Sequence, residues 1–211
     1  MYKPVLVVAP VLTPVSLDEA KRHCRVEDDV TEDDGLIGAL ILAAVSYLDG
    51  WTGVLGRCLC QQTWRQDMAC FSSVMRLQIG PVIAVTGIVA YDGAGQEITA
   101  APSDYRLLED GRGPYVRFAS SYQGLDSTPE IGPSYAVTFD AGYPDIPEVP
   151  ANGSTPAIPA RSSVPQAIKQ AILLLIGHWY ENRETVVLGA VPARLPVAFE
   201  ALIAPYRRVR L

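Results

Sequence analysis

Two histidines, four cysteines and one dense run of carboxylates are the residues of this chain whose types could do chemistry. His178 and Glu181 stand three apart with Tyr180 between them, a spacing that puts both on one side of a helix and could serve a metal ion or a shared proton. The H-E-x-x-H spacing of zinc proteases is absent, however, and the other histidine, His23, has no ligand cluster around it in sequence. His178, Trp179 and Tyr180 therefore read as the polar end of a buried helix, and Glu181 as an ion-pair partner. Cys58-x-Cys60 and Cys70 lack the paired C-x-x-C knuckles of a structural zinc site, and read as thiols of a half-buried strand. Counted from Asp29, the run DDVTEDDG offers oxygen ligands at the first, third and fifth positions of a calcium loop. Its glycine arrives one place late and Leu40 stands where a bidentate glutamate is needed, so the motif fails.

No phosphate-binding loop, dinucleotide fingerprint or nucleophile elbow is present. No catalysis, no cofactor and no metal are expected. With 17 basic against 23 acidic residues the formal net charge is −6. That balance excludes a protein that coats nucleic acid by bulk charge, although an acidic wall can surround DNA without gripping it. The apolar start VLVVAPVL is broken by Pro4, Pro10 and Pro14 and is followed by no cleavage pattern, and no apolar run reaches the ~18 to 20 residues that span a bilayer. A soluble chain of intracellular origin, with no membrane partner, is the expectation.

The elements that would position these residues follow from periodicity. Residues 1–14 are too proline-rich for a helix and too apolar for a solvated tail. They should lie extended against another surface, which could belong to a neighbouring subunit. Ser16 and Glu19 form a capping box for a short helix to about Cys24. Thr31 is a plausible N-cap, with Asp33 and Asp34 complementing the dipole of a second helix over about 32–51. Its apolar stripe runs Leu36, Leu40, Ala44, Tyr47, Trp51, flanked by Ile37, Ile41, Val45 and Leu48. From about 57 to 143 the period changes to short β-branched and aromatic runs separated by DGAG and EDGRG turns, an antiparallel β domain. Residues 144–163 carry five prolines and no pattern, and read as a structureless loop. Helix resumes after Pro165 through AIKQAILLLIGHWYENRE, and a last helix over about 196–203 is stopped by Pro205.

The fold class is thus α+β. The expected layout is an extended arm (1–14), a discontinuous helical bundle (15–56 and 164–204), an inserted antiparallel β domain (57–143), a proline-rich loop (144–163) and an extended C-terminal tail (205–211).

Several segments in order resemble a known family: SLDEAKRHCRVEDDVTEDDGLIGALILAAVSYLDGWTG, QTW, IGPVIAVTGIVAYD, DYRL, VTFDAGY, VPQAIKQAILLLIGHWYENRE and LIAPYR. Together, from about 16 to 207, they are similar to the head-tail connector, or adaptor, proteins of long-tailed bacteriophages and phage-derived gene-transfer particles. The resemblance implies a non-enzymatic virion protein, made in the bacterial cytoplasm and placed at the neck. It implies a homo-oligomeric ring, generally a dodecamer, beneath the portal protein and above a stopper or tail-completion protein. DNA would pass through its lumen without sequence-specific binding. It also implies that Tyr206, Arg207, Arg208, Val209, Arg210 and Leu211, an extended cationic and apolar strip, bind the portal; a frayed terminus is the plainer reading of the same residues. On the same resemblance Glu27, Asp28, Asp29, Glu32, Asp33, Asp34, Glu181, Arg183 and Arg194, with Arg207, are candidates for ion pairs between subunits. Otherwise the acids are a solvated turn that suits a helix dipole. The rival from another class is a monomeric module whose β domain binds a peptide or a saccharide.

Overall fold

The computed structural model describes residues 2–124, 129–151, 156–182 and 197–208. In chain order its strands are β1 (Val5–Val8), β2 (Gln62–Met68), β3 (Val74–Arg76), β4 (Val82–Tyr91), β5 (Glu97–Thr99), β6 (Tyr105–Asp110), β7 (Gly113–Phe118), β8 (Tyr135–Ala141), β9 (Asp145–Ile146) and β10 (Arg161–Ser162). The helices are α1 (Leu17–Cys24), α2 (Asp34–Leu48), α3 (Gln166–Glu181) and α4 (Val197–Ile203). The fold is α+β, and the chain divides into two compact units. One joins the stretch ending at Val11 to Cys60–Pro144; the other joins Leu12–Leu59 to the stretch from Asp145 onward.

The first unit holds a five-stranded antiparallel sheet, in the order β1-β2-β8-β4-β5, and a three-stranded sheet, β3-β7-β6. Strand β2 shows why these residues form a sheet: Gln62, Trp64, Gln66 and Met68 point inward and are buried, while Arg65 between them is exposed. That is the period of two that a half-buried strand requires. Between β2 and β4 lies β8, whose Tyr135, Val137, Phe139 and Ala141 are fully buried. Asp92 accepts amide hydrogens from Ala94 and Gln96 at 2.9 and 2.8 Å, closing the turn from β4 to β5. The two sheets meet through rings, Phe71 lying 5.4 Å from Phe118 and 5.6 Å from Tyr135. The buried Gln66 amide joins them as well, donating to the Arg76 carbonyl at 2.9 Å and accepting from the Gln78 amide at 2.8 Å. A buried amide so paired escapes the cost of an unmade hydrogen bond. At Gly142, where φ is +114°, a side chain would run into the Cys60 carbonyl, so glycine is required there.

The second unit is helical. Ser16 Oγ accepts from the Glu19 amide at 3.1 Å and Glu19 Oε2 accepts from the Ser16 amide at 2.8 Å, which starts α1. In α3 the buried residues Ile168, Ala171, Ile172, Leu175 and Ile176 recur at three- and four-residue steps, and α1, α2 and α4 each pack on it. Each large aliphatic side chain buried there contributes about 1.5–3 kcal/mol.

Four expectations are corrected. First, the surface that β1 lies against is that of its own chain: it is the edge strand of its own sheet, paired antiparallel to β2 with Leu6 opposite Trp64. Second, α2 runs Asp34–Leu48 with Asp33 at the N-cap, not 32–51 with Thr31, because the Thr31 carbonyl accepts the Asp34 amide in a turn before the helix. Its buried stripe is Ile37, Ile41, Ala44 and Leu48, one position round from the expected one, which leaves Leu36, Leu42 and Tyr47 exposed. Third, the proline-rich segment has structure: β9 pairs with β10, and beyond them Val149 and Ile158 exchange both backbone hydrogen bonds at 2.9 Å. Fourth, Cys58 and Cys60 are fully buried ahead of β2 and Cys70 is exposed beyond its end, so none is a half-buried thiol within a strand.

Candidate functional site

The tail begins on a proline-containing 3₁₀ turn, Ala204–Tyr206, which directly follows α4. Phe199 and Ile203, both fully buried, seat α4. The Tyr206 ring lies 6.0 Å from the Arg57 guanidinium, Arg207 pairs with Glu200 at 3.1 Å, and the Arg208 amide donates to the Leu55 carbonyl at 2.9 Å. The first half of the expected portal strip is therefore held on its own unit, with extended backbone starting at Arg207. Val209, Arg210 and Leu211 lie outside the described residues, as do Arg183 and Arg194.

The acidic turn splits into two groups. Asp33 accepts from the Tyr180 hydroxyl and Asp34 lies 2.9 Å from Lys21 Nζ, so both are engaged within their own unit. Lys21, only 3% exposed, points its hydrogens at the Asp28 and Val30 carbonyls at 3.1 and 2.7 Å, and meets Asp34 as an ion pair outside hydrogen-bond geometry. The backbone from Asp28 to Val30 is thus pinned from below by one buried ammonium. Glu27, Asp28, Asp29 and Glu32 remain exposed. Glu181, exposed in the last turn of α3, adds its charge to the burial that pushes the Cys24 thiol above its ordinary value.

His23 and His178 are brought nearer than their separation in sequence implied, since the His23 ring packs against Gly177, where a side chain would stand 3.1 Å from it. Among the described residues no group of three His, Cys, Asp or Glu side chains converges as a metal site. Among those same residues no helix is long and apolar enough to cross a membrane.

Apolar surface is left open in both units. In the first, Val5, Leu6, Val7 and Val8 of β1 are each between 43% and 54% exposed, and among the described residues no strand pairs with the outer edge of β1. In the second, Leu42 on α2 is 63% exposed. Sequence reading missed Lys21, because a lysine in a short polar helix carries no sign that it is buried.

The outer face of the three-stranded sheet carries a charge pattern. Arg76 grips Asp110 with two bonds of 2.9 and 2.7 Å and lies 5.2 Å from the centre of the Tyr115 ring. The Arg76 hydrogen bonds, followed by the Arg112 amide, lower the Asp110 carboxyl from 3.8 to about 2. A depressed carboxyl stabilises the fold above its unfolded value, and this contribution disappears as pH falls through about 2. The side-chain carboxyl carbon resonance of Asp110 should accordingly titrate near pH 2, and Arg76→Gln should bring it back toward 3.8. A wild-type midpoint at 3.8 would refute the pair.

The fold comprises a helical unit and an antiparallel β unit, each built from two separate stretches of the chain. No protein-family model matches the sequence, and no curated protein does. Solved structures do match the fold. A chain in the virion of a native gene transfer agent particle aligns with all of this chain and 97% of its own, with TM-score 0.71 and 24% identity. A chain in the neck of an empty particle of that kind, computed with C6 symmetry, aligns over 100% and 97% with TM-score 0.68 and 24% identity. One in the neck of the native particle, computed with C12 symmetry, aligns over 98% and 97% with TM-score 0.58 and 21% identity. At these identities what is shared is the fold, over its whole length.

Proposed function

We propose that this chain is a structural subunit of the neck of a phage-like particle: a connector that forms a ring beneath the portal, extends the DNA channel and meets the stopper or tail. The observation that carries the reading is the end-to-end match of both units to chains of gene transfer agent virions and necks, some solved with C6 or C12 symmetry. Two surfaces support it. The aliphatic edge of β1 and the exposed apolar side of α2 are what a protomer would bury on joining a ring, and large exposed apolar patches are uncommon on lone soluble chains. In this reading the segment from Arg207 to Leu211 binds the portal by adding main-chain hydrogen bonds, after Arg208 releases the Leu55 carbonyl. DNA is enclosed without sequence readout, and the subunit is not an enzyme.

The test is truncation after Tyr206, which leaves the 3₁₀ turn in place. The truncated chain should still fold, with a melting temperature lowered by the loss of the Arg207–Glu200 pair and the Arg208–Leu55 bond, yet yield heads that do not join tails, scored by electron microscopy of particles. Normal particle yield from the truncated chain would overturn portal binding by the tail. A monomeric binding module is the second reading, and one observation favours it: a cavity of about 790 Å3 in the β unit with aromatic rings in its wall.

A further inference from the structure

The outer face of the β3-β7-β6 sheet holds an unbalanced pair of cations. Arg106 on β6 and Arg117 on β7 are directly opposite one another in the register, and both are exposed. Like charges placed so are destabilising unless an anion lies between or above them. Two register positions further along, Arg76 has its carboxylate in Asp110, whereas among the described residues neither Arg106 nor Arg117 has one. Both arginines line the cavity of about 790 Å3, whose wall also carries Phe71, Tyr105, Tyr122 and Val74. The surroundings call for a ligand that brings carboxylates for two guanidinium groups together with an apolar side chain for a ring-lined hollow.

The same chain carries a segment of that description. The turn between α1 and α2 presents Glu27, Asp28, Asp29 and Glu32, all exposed and, among the described residues, without a cation of their own. At its tip Val30 is 36% exposed. Lys21 fixes the carbonyls of Asp28 and Val30, so the turn is already shaped before it meets a partner, which lowers the entropy lost on docking. We propose that the acidic turn of one copy seats in the Arg106–Arg117 cavity of the next, Asp28 and Asp29 facing the guanidinium groups and Val30 entering among the rings.

A contact between two different patches leaves one turn and one cavity unused at the ends of any open chain of copies, and closes only as a ring. The inference rests on the ring reading above and gives it a specific joint. Nucleic acid is the less suitable occupant. A chain of net charge −6 repels it at long range, and two arginines would neutralise few phosphates.

The experiment is a charge exchange in the full chain, read as copies per purified particle. Arg106→Glu with Arg117→Glu should lower incorporation at least about tenfold, since like charges then face one another across the joint. Asp28→Lys with Asp29→Lys should do the same, and the chain carrying all four changes should recover. All these side chains are exposed, and each variant is to melt at the wild-type temperature before its incorporation is read. Incorporation of the two double variants at the wild-type level overturns the inference and leaves the neck reading standing; absence of the wild-type chain from particles overturns the neck reading itself. If Arg106→Glu/Arg117→Glu is defective and the fourfold chain does not recover, the cavity takes another partner and the inference fails. Loss of duplex-DNA retention by the purified arginine variant would identify that partner as nucleic acid.

Discussion

Phe199→Ala should be the most damaging single truncation in the helical unit, costing about 3–5 kcal/mol. Helix α4 has only seven residues, fewer than an isolated helix needs to persist in water, so it exists by virtue of what it buries. That is chiefly Phe199 and Ile203, both fully buried, with the Phe199 ring 6.3 Å from that of Tyr47. Against a total stability of about 5–15 kcal/mol the loss is a large fraction, and it falls on the element that carries the Tyr206–Arg208 segment. Urea unfolding followed by tryptophan fluorescence measures it: the midpoint should drop with little change of slope. A loss below about 1 kcal/mol would show that the ring is not a core residue. In particles, Phe199→Ala should reproduce the tail truncation in part, because a displaced α4 no longer presents the tail from one place.

Lys21→Met comes next, at about 3 kcal/mol. The substitution keeps the buried stem but withdraws the ammonium from two carbonyls and from Asp34. Asp34→Asn removes only the ion pair, and its side chain is 31% exposed, so water screens it and the cost should stay near about 1 kcal/mol. The two variants separate the pinning of the turn from simple charge pairing. Amide exchange at Val26, whose N–H bonds to the Lys21 carbonyl, and at Val30, bonded to Glu27, reports the turn directly. Lys21→Met should accelerate both, and Asp34→Asn should leave them slow. Equal effects from the two substitutions would mean that the carbonyl bonds contribute nothing.

Much of this fold could be read from local pattern because its elements obey simple rules. Alternation in QTWRQDM and VTFDAGY, the capping box at Ser16 and the Asp92 turn each declare themselves within a few residues. What could not be read depended on distant partners. The α2 helix is apolar on most of its faces, so its sequence leaves open which face α3 covers, and the expected stripe was one position out. Residues 145–151 and 156–162 have no pattern to betray their pairing, since two short strands and one further backbone exchange hold them. At the candidate sites, the acidic turn was visible as charge while its division was not. Only the fold shows that Asp33 and Asp34 are held from within while Glu27, Asp28, Asp29 and Glu32 stay outside. Arg106 and Arg117 went unread, because their facing each other depends on the hairpin register.

The five-stranded sheet has two very different borders. On one side β5 is three residues long and carries Glu97 and Thr99; on the other, β1 offers four aliphatic residues in succession with no charge among them. Growth by strand addition is therefore one-sided. A guest strand laid along Val5–Val8 gains main-chain bonds, while the opposite margin refuses a second guest, so such additions end after one step instead of propagating into fibrils. Copies of this chain brought side by side would lend and accept backbone at that seam without the hazard that an open sheet ordinarily brings.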